Sequence, residues 1–326
     1  MSAQSQQFGT QAENAQSGHP FKGPEPRRRK IPVAYLYLLP VILSALIFTI
    51  GPFVYTFYIS FTNYHLIYHF NEFEWIGLAN YTRALGEGGE FVPVLRWTII
   101  WMFLTTVLNV GGGMFLALML NHERLVERNL YRTILILPWA LPNILLIQVW
   151  AGLYNAQGPI NLILGRIGFD ENVRWLLEDT PARTALLLTN LWLSYPFFMT
   201  VGLAALQAIP RDLYEVADLD GAGSWARFRD ITFPFMLSAI TPLLLTQLAF
   251  QFNNAGVIIL LTNGLPQAFP GSQYGVTDTL ATFAYKLIYA ERDMGYAAAY
   301  GVFTFLIIAV FIVLSARLTG SFKEVD

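Results

Sequence analysis

The chain has 326 residues, 55% hydrophobic and only 13% charged, with a formal net charge of −2 and a mean hydropathy of +0.45. Soluble domains carry about 25% charged residues, so this supply cannot cover a water-facing surface and lipid is the expected solvent for most of the chain. The charge balance offers no basic excess to attract nucleic acid, and the lack of cysteine excludes disulfides, thiolate metal sites and cysteine nucleophiles.

Residues 1–20 are rich in Gln, Ser and Ala, hold no apolar run and cannot bury a core. Residues 1–30 are therefore predicted as a disordered cytoplasmic tail, not a signal peptide, and 31–326 as the membrane domain. A hydrocarbon core about 30 Å thick needs about 20 apolar helical residues. Six segments qualify: 33–59, 95–120, 131–154, 184–208, 234–261 and 296–316. The predicted fold class is all-α, a polytopic membrane protein with about six transmembrane helices, the first an uncleaved anchor. Several spans contain proline (Pro40, Pro52, Pro138, Pro142, Pro196, Pro242), which a membrane helix tolerates where neighbours re-satisfy the freed carbonyls. Gly111, Gly112 and Gly113 predict a close approach of another helix.

Between spans, 61–93 and 155–183 carry eight carboxylates yet are too short for a sizeable separate domain. His65 and His69 have i, i+4 spacing without a third nearby ligand, so they read as interfacial side chains in an aromatic loop; neither a metal nor a cofactor is expected. Asn80-Tyr81-Thr82 matches a glycosylation sequon by chance. Orientation follows from the cations: thirteen of the twenty Lys and Arg fall in one set of segments, including Arg27 to Lys30, Arg124, Arg128, Arg132, Arg211, Arg227, Arg229, Arg317 and Lys323. The positive-inside rule then puts both termini in the cytoplasm.

The segment 211–234, on that same side, has the chemistry of two short helices meeting at a turn. Asp212 suits a helix N-terminus, and Leu213, Val216 and Ala217 share one face. Gly221 and Gly223 supply the turn, Ser224 is placed to cap a second helix, and Trp225, Phe228 and Ile231 form its apolar stripe. Such a pair either docks into a partner's groove or lies on the bilayer.

Two polar stripes stand out within the spans. Asn190, Ser194 and Phe197 are spaced four then three residues, on one helical face, and Gln247, Gln251 and Asn254 repeat the spacing in the fifth span. Position 194 lies about eleven residues, or ~16 Å, below the boundary near Arg183, so the stripes are expected to face each other near the midplane, the usual depth for a transported solute. Amides and hydroxyls among aromatic rings suit a neutral sugar; the competing reading is interhelical hydrogen bonding.

The cytoplasmic segment resembles the EAA loop of binding-protein-dependent ABC importer permeases: Glu215, Val216, Ala217, then Gly221, then Ile231, Phe233 and Pro234, elaborated by Asp220, Ala222 and Phe228. Val216 and Phe233 depart mildly from the motif, and Ser238 stands where many members have a second proline. Residues 190–197 (Asn-Leu-Trp-Leu-Ser-Tyr-Pro-Phe), 249–254 (Ala-Phe-Gln-Phe-Asn-Asn), 260–264 and 275–280 are similar to the maltose/maltodextrin branch of that family, and the likeness runs from about residue 33 onward. The resemblance implies a type I ABC importer fold in a bacterial-type cytoplasmic membrane. It also implies a second permease subunit, two ATP-binding subunits docked on the EAA loop through Glu215, Ala217, Asp220, Gly221, Ala222, Phe228 and Pro234, and an extracytoplasmic sugar-binding protein. The branch's sugar-contacting face corresponds to Asn190, Ser194, Phe197, Gln247, Gln251 and Asn254, with Ser194, Gln247 and Gln251 differing in type and Phe197 replacing a tyrosine.

The chain has no Gly-x-x-x-x-Gly-Lys-Ser/Thr loop to cradle ATP phosphates, and no Asp or Glu deep in a span of the kind proton-coupled carriers use. The expected function is therefore a non-enzymatic permease of an ATP-driven maltose or maltodextrin importer, with trehalose, sucrose or glycerol phosphate as alternative solutes. A phosphorylated solute would call for Arg or Lys along the pathway, and none lies inside the spans away from their ends.

Overall fold

Backbone that crosses lipid has to satisfy its own hydrogen bonds, and the computed structural model, which describes residues 33–122 and 125–318, is accordingly built from helices. The predicted tail 1–30, Arg124 and Lys323 lie outside the described residues. The chain divides into two units, Met1–Phe53 and Val54–Asp326. In the first, α1 (Val33–Ala45) holds Pro40 without breaking and passes into a π-helical stretch, Leu46–Ile50; α2 (Gly51–Ile59) follows and runs across the division at Phe53.

In the second unit come α3 (Ala79–Leu85), α4 (Phe91–Leu120), α5 (Arg128–Ala140), α6 (Asn143–Leu153) and α7 (Pro159–Arg166). They are followed by α8 (Asp179–Gln207), α9 (Arg211–Leu219), α10 (Ser224–Arg227), a π-helical stretch Phe228–Thr232, α11 (Phe233–Asn253) and α12 (Gly256–Leu261). Finally, α13 (Leu280–Tyr289) precedes α14 (Met294–Leu318). Among the described residues, five helical stretches are long and apolar enough to cross a membrane, and α5 with α6 makes a sixth when that bent pair counts as one. The six-span all-α expectation agrees with this architecture.

The third span departs from the straight segment expected over 131–154. It bends by 97° between α5 and α6. The cause is local: Leu141 precedes Pro142 and is extended (φ −116°, ψ 150°), the conformation a following proline imposes. The fifth span also differs from the expected 234–261. Its helix starts within the 211–234 segment at Ser224 and is interrupted at Asn254, which is extended at ψ 105°.

α4 and α8 pack along their lengths, and glycine makes this possible. A Cβ on Gly113 would stand 2.7 Å from the Met199 backbone nitrogen, and one on Gly202 would stand 2.8 Å from Ala117 Cβ. Around this pair lie three apolar clusters: Phe91, Met102, Phe283 and Tyr300; Trp101, Ile147, Leu186 and Ile258; and Leu120, Met199, Leu206 and Met236. Asn80 of the sequon is buried, its Nδ2 donating to Ser60 and Thr62 carbonyls at 2.9 Å. In the connection before α13, Lys286 Nζ meets the fully buried Asp278 carboxylate at 2.6 Å.

Candidate functional site

α5, α6, α8, α11 and α12 enclose an open groove of about 600 Å³. Its wall includes Asn190, Ser194, Phe197, Gln247 and Asn254, so five of the six residues on the two predicted polar stripes meet in one cavity. Gln251 is the sixth and stands behind the wall, fully buried. There it ties the stripes together: Gln251 Nε2 donates to Asn190 Oδ1 at 2.9 Å, and Asn254 Nδ2 donates to Gln251 Oε1 at 2.9 Å. Asn190 Oδ1 also accepts from Asn109 Nδ2 of α4 at 3.3 Å. With its oxygen held by two inner donors, Asn190 has its NH₂ group left for the groove. Asn254 in turn accepts the Gly256 amide at 3.3 Å, an Asx-type turn that stabilises the helix interruption.

The groove has wall residues that periodicity along the α8 and α11 stripes did not reveal. Trp139 and Asn143 flank the bend of the third span, and Phe250 and Thr246 come from α11. The signal for the first two was Pro142, which marks a break, whereas Pro138 is tolerated inside α5. Trp139 and Phe197 are half-exposed, with ring centroids 6.0 Å apart at 37°. No Asp, Glu, Lys or Arg is among the lining residues. The groove therefore pairs an aromatic platform with uncharged donors and acceptors, which can cover a pyranose face and bond its hydroxyls. Asn253 points away from it and lines a smaller hollow with Ile308.

The 211–234 segment folds as the two short helices expected. Gly221 takes φ +73°, with Ala222 N–H bonded to Ala217 O at 2.9 Å and Gly221 N–H to Asp218 O at 3.1 Å. That is a Schellman stop for α9, and it requires a left-handed residue. Ser224 does not cap α10 as expected: Gly223 occupies the cap position and Ser224 is the first helical residue. Two ties hold the pair, an Arg227–Asp218 ion pair and a 2.8 Å hydrogen bond between Tyr214 Oη and Thr232 Oγ1. Leu219 (88%) and Trp225 (70%) remain exposed beside Val216, an apolar face that none of the described residues covers. Glu215 and Asp220 are exposed alongside, Ala217, Ala222 and Phe228 are partly buried, and Pro234 sits in the first turn of α11. Trp225, Phe228 and Phe233 run as a ring series with centroids 5.6 and 6.0 Å apart. From Ser224 the helix continues to Asn253, so one rod roughly 45 Å long runs from just after the turn to the groove, carrying Gln247 and ending beside Asn254.

Spanning helices around an uncharged groove, joined by one helix to an exposed apolar surface, define a multi-pass membrane permease. Residues 109–323 match the family model described as binding-protein-dependent transport system inner membrane component. The chain belongs to that family: it is a non-enzymatic inner-membrane permease component of the ABC importer class. It is 36% identical over 292 residues to the galactooligosaccharides transport system permease protein GanP of Bacillus subtilis (strain 168), covering 87% of this chain and 68% of the relative. It is also 36% identical over 251 residues to the maltose/maltodextrin transport system permease protein MalF of Escherichia coli (strain K12), covering 74% of this chain and 49% of the relative. The chain thus spans about half the length of MalF. The branch is one whose named relatives transport sugars. Among solved structures, a bacterial alginate ABC transporter in complex with alginate pentasaccharide-bound periplasmic protein matches with TM-score 0.74 and 25% identity, over 90% of this chain and 95% of that one.

Proposed function

We propose that this chain forms half of the translocation pathway of an ATP-driven, binding-protein-dependent importer of maltose and maltodextrins. The observation that carries this reading is the uncharged groove, where Asn190, Ser194, Gln247 and Asn254 surround the Trp139–Phe197 ring pair. Both termini face the cytoplasm, a second permease closes the open side of the groove, and an extracytoplasmic sugar-binding protein delivers substrate. Two ATP-binding subunits dock on the α9–α10 face through Glu215, Ala217, Asp220, Gly221, Ala222, Phe228 and Pro234. Their closure pulls on the rod that starts at Ser224, and the groove opens alternately outward and inward. The chain breaks no covalent bond; it exchanges water for protein hydrogen bonds around the sugar.

Galacto-oligosaccharides are the second reading, supported by the similarity to GanP, which covers more of this chain than the similarity to MalF. Reconstitution of the complete importer in liposomes separates the two. ATP hydrolysis is measured with binding protein loaded with maltose, maltotriose, trehalose, sucrose or a β-galactobiose. Stimulation by maltose and longer α-glucans alone is the expected result. Stimulation by the galactobiose alone replaces the substrate, and no stimulation by any sugar in an assembled, ATPase-active complex refutes the sugar assignment.

A further inference from the structure

Near the starts of α4 and α8 lies a second cavity of about 460 Å³, whose wall includes Arg96, Trp97, Ile100, Arg183, Tyr274 and Asp278. Its charges do not cancel. Asp278 is already engaged by Lys286 Nζ at 2.6 Å, Thr282 Oγ1 at 2.9 Å and the Gly275 amide at 2.7 Å. Arg183 is held in place, its Nε donating to Val276 O at 3.1 Å and its guanidinium 4.4 Å from the Trp97 ring centroid. Asp179, one turn earlier on α8, partly offsets it. Arg96 is exposed and makes none of the ion pairs found among the described residues. Two guanidinium groups sharing one cavity repel unless an anion lies between them.

The depth of the cavity says which anion. Arg96 and Arg183 both sit in the second turn of a candidate span, so a bilayer crossed by those spans brings its phosphates to their level, where Trp97 and Tyr274 are the typical aromatic residues. Ile100 continues the cavity wall down α4, where Ile99 and Phe103 are exposed. A free phosphate has no use for this apolar flank; an acyl chain does. We propose that the cavity binds an anionic phospholipid, with its phosphodiester between Arg96 and Arg183 and an acyl chain along Ile100.

The test uses the full-length chain purified into mixed micelles of phosphatidylglycerol and phosphatidylcholine, with native mass spectrometry as the readout. The wild type retains phosphatidylglycerol in preference to phosphatidylcholine. Arg96→Gln and Arg183→Gln each lower that preference about fivefold, and Arg96→Lys restores most of it. Equal retention of the two lipids, or an Arg96→Gln variant with an unchanged preference, overturns the proposal. Arg96 makes no ion pair among the described residues, so this variant is expected to fold. Displacement of phosphatidylglycerol by millimolar inorganic phosphate also overturns the lipid assignment, in favour of a free anion.

Discussion

Gln251 is fully buried, touches no groove surface, and joins Asn190 of α8 to Asn254 at the interruption of the fifth span. Replacing it by leucine keeps the volume and removes both amide bonds. Asn190 Oδ1 then retains only the longer 3.3 Å bond from Asn109, while Asn254 Nδ2 loses its acceptor at a partly exposed position that water can reach. One poorly satisfied buried amide costs about 1–3 kcal/mol. If about 1–2 kcal/mol of this reaches the bound sugar, through two groove amides no longer held in orientation, KM rises roughly 5- to 30-fold. Gln251→Glu should do more. A carboxylate only accepts, so it keeps Asn254 but confronts the Asn190 oxygen and turns that amide around. The assay is sugar uptake into proteoliposomes, separating KM from the saturated rate, with complex assembly and basal ATPase activity as controls. An assembled Gln251→Leu importer with wild-type KM would refute the positioning argument.

Three further outcomes are expected. Gly221→Val places a β-branched residue at φ +73°, a strain of about 1–2 kcal/mol or more; it should abolish assembly or ATPase coupling with little change in thermal unfolding midpoint, and full wild-type uptake would remove the docking role. Gly113→Ala should cost about 1–3 kcal/mol by overpacking against Phe198 and Met199, whereas Gly111→Ala, whose Cβ meets none of the described residues within 4 Å, should keep or slightly raise the unfolding midpoint, since alanine favours a helix interior by about 0.5–1 kcal/mol. Lys286→Met leaves Asp278 without its counter-ion, a loss of about 3–5 kcal/mol for a buried pair. Burial already pushes the Asp278 carboxyl up, against the lowering effect of Lys286 and its hydrogen-bond donors. A carboxyl raised in the folded state favours folding while protonated, and that advantage is lost as pH rises through its folded pKa. The variant's unfolding midpoint should therefore recover as pH falls from about 7.5 toward 5; a flat profile would contradict this.

Composition and apolar run lengths were enough for the spanning helices, because lipid leaves the backbone no alternative to satisfying itself. The turn at Gly221 was equally legible, since a Schellman stop needs a left-handed residue and glycine is the ready choice. Helical spacing also put Asn190, Ser194 and Phe197 on one face and Gln247 and Asn254 on another, and these meet in the groove.

Tertiary structure alone decided which polar side chains line that groove and which stand behind it. Periodicity assigns a residue to a face of its own helix and says nothing about what covers that face. Gln251 shares its stripe with Gln247 and Asn254, yet α8 and Asn109 of α4 come close enough to make it a buried link. Trp139 and Asn143 escaped for a related reason: Pro142 marks where the helix breaks, but the sequence does not say that the 97° bend faces both residues onto the groove formed with α8 and α11. The charge-rich cavity at Arg96 and Arg183 likewise joins residues from α4 and α8, 87 positions apart in sequence. Only packing of the two helices, permitted where Gly113 meets the Met199 backbone, brings those cations together.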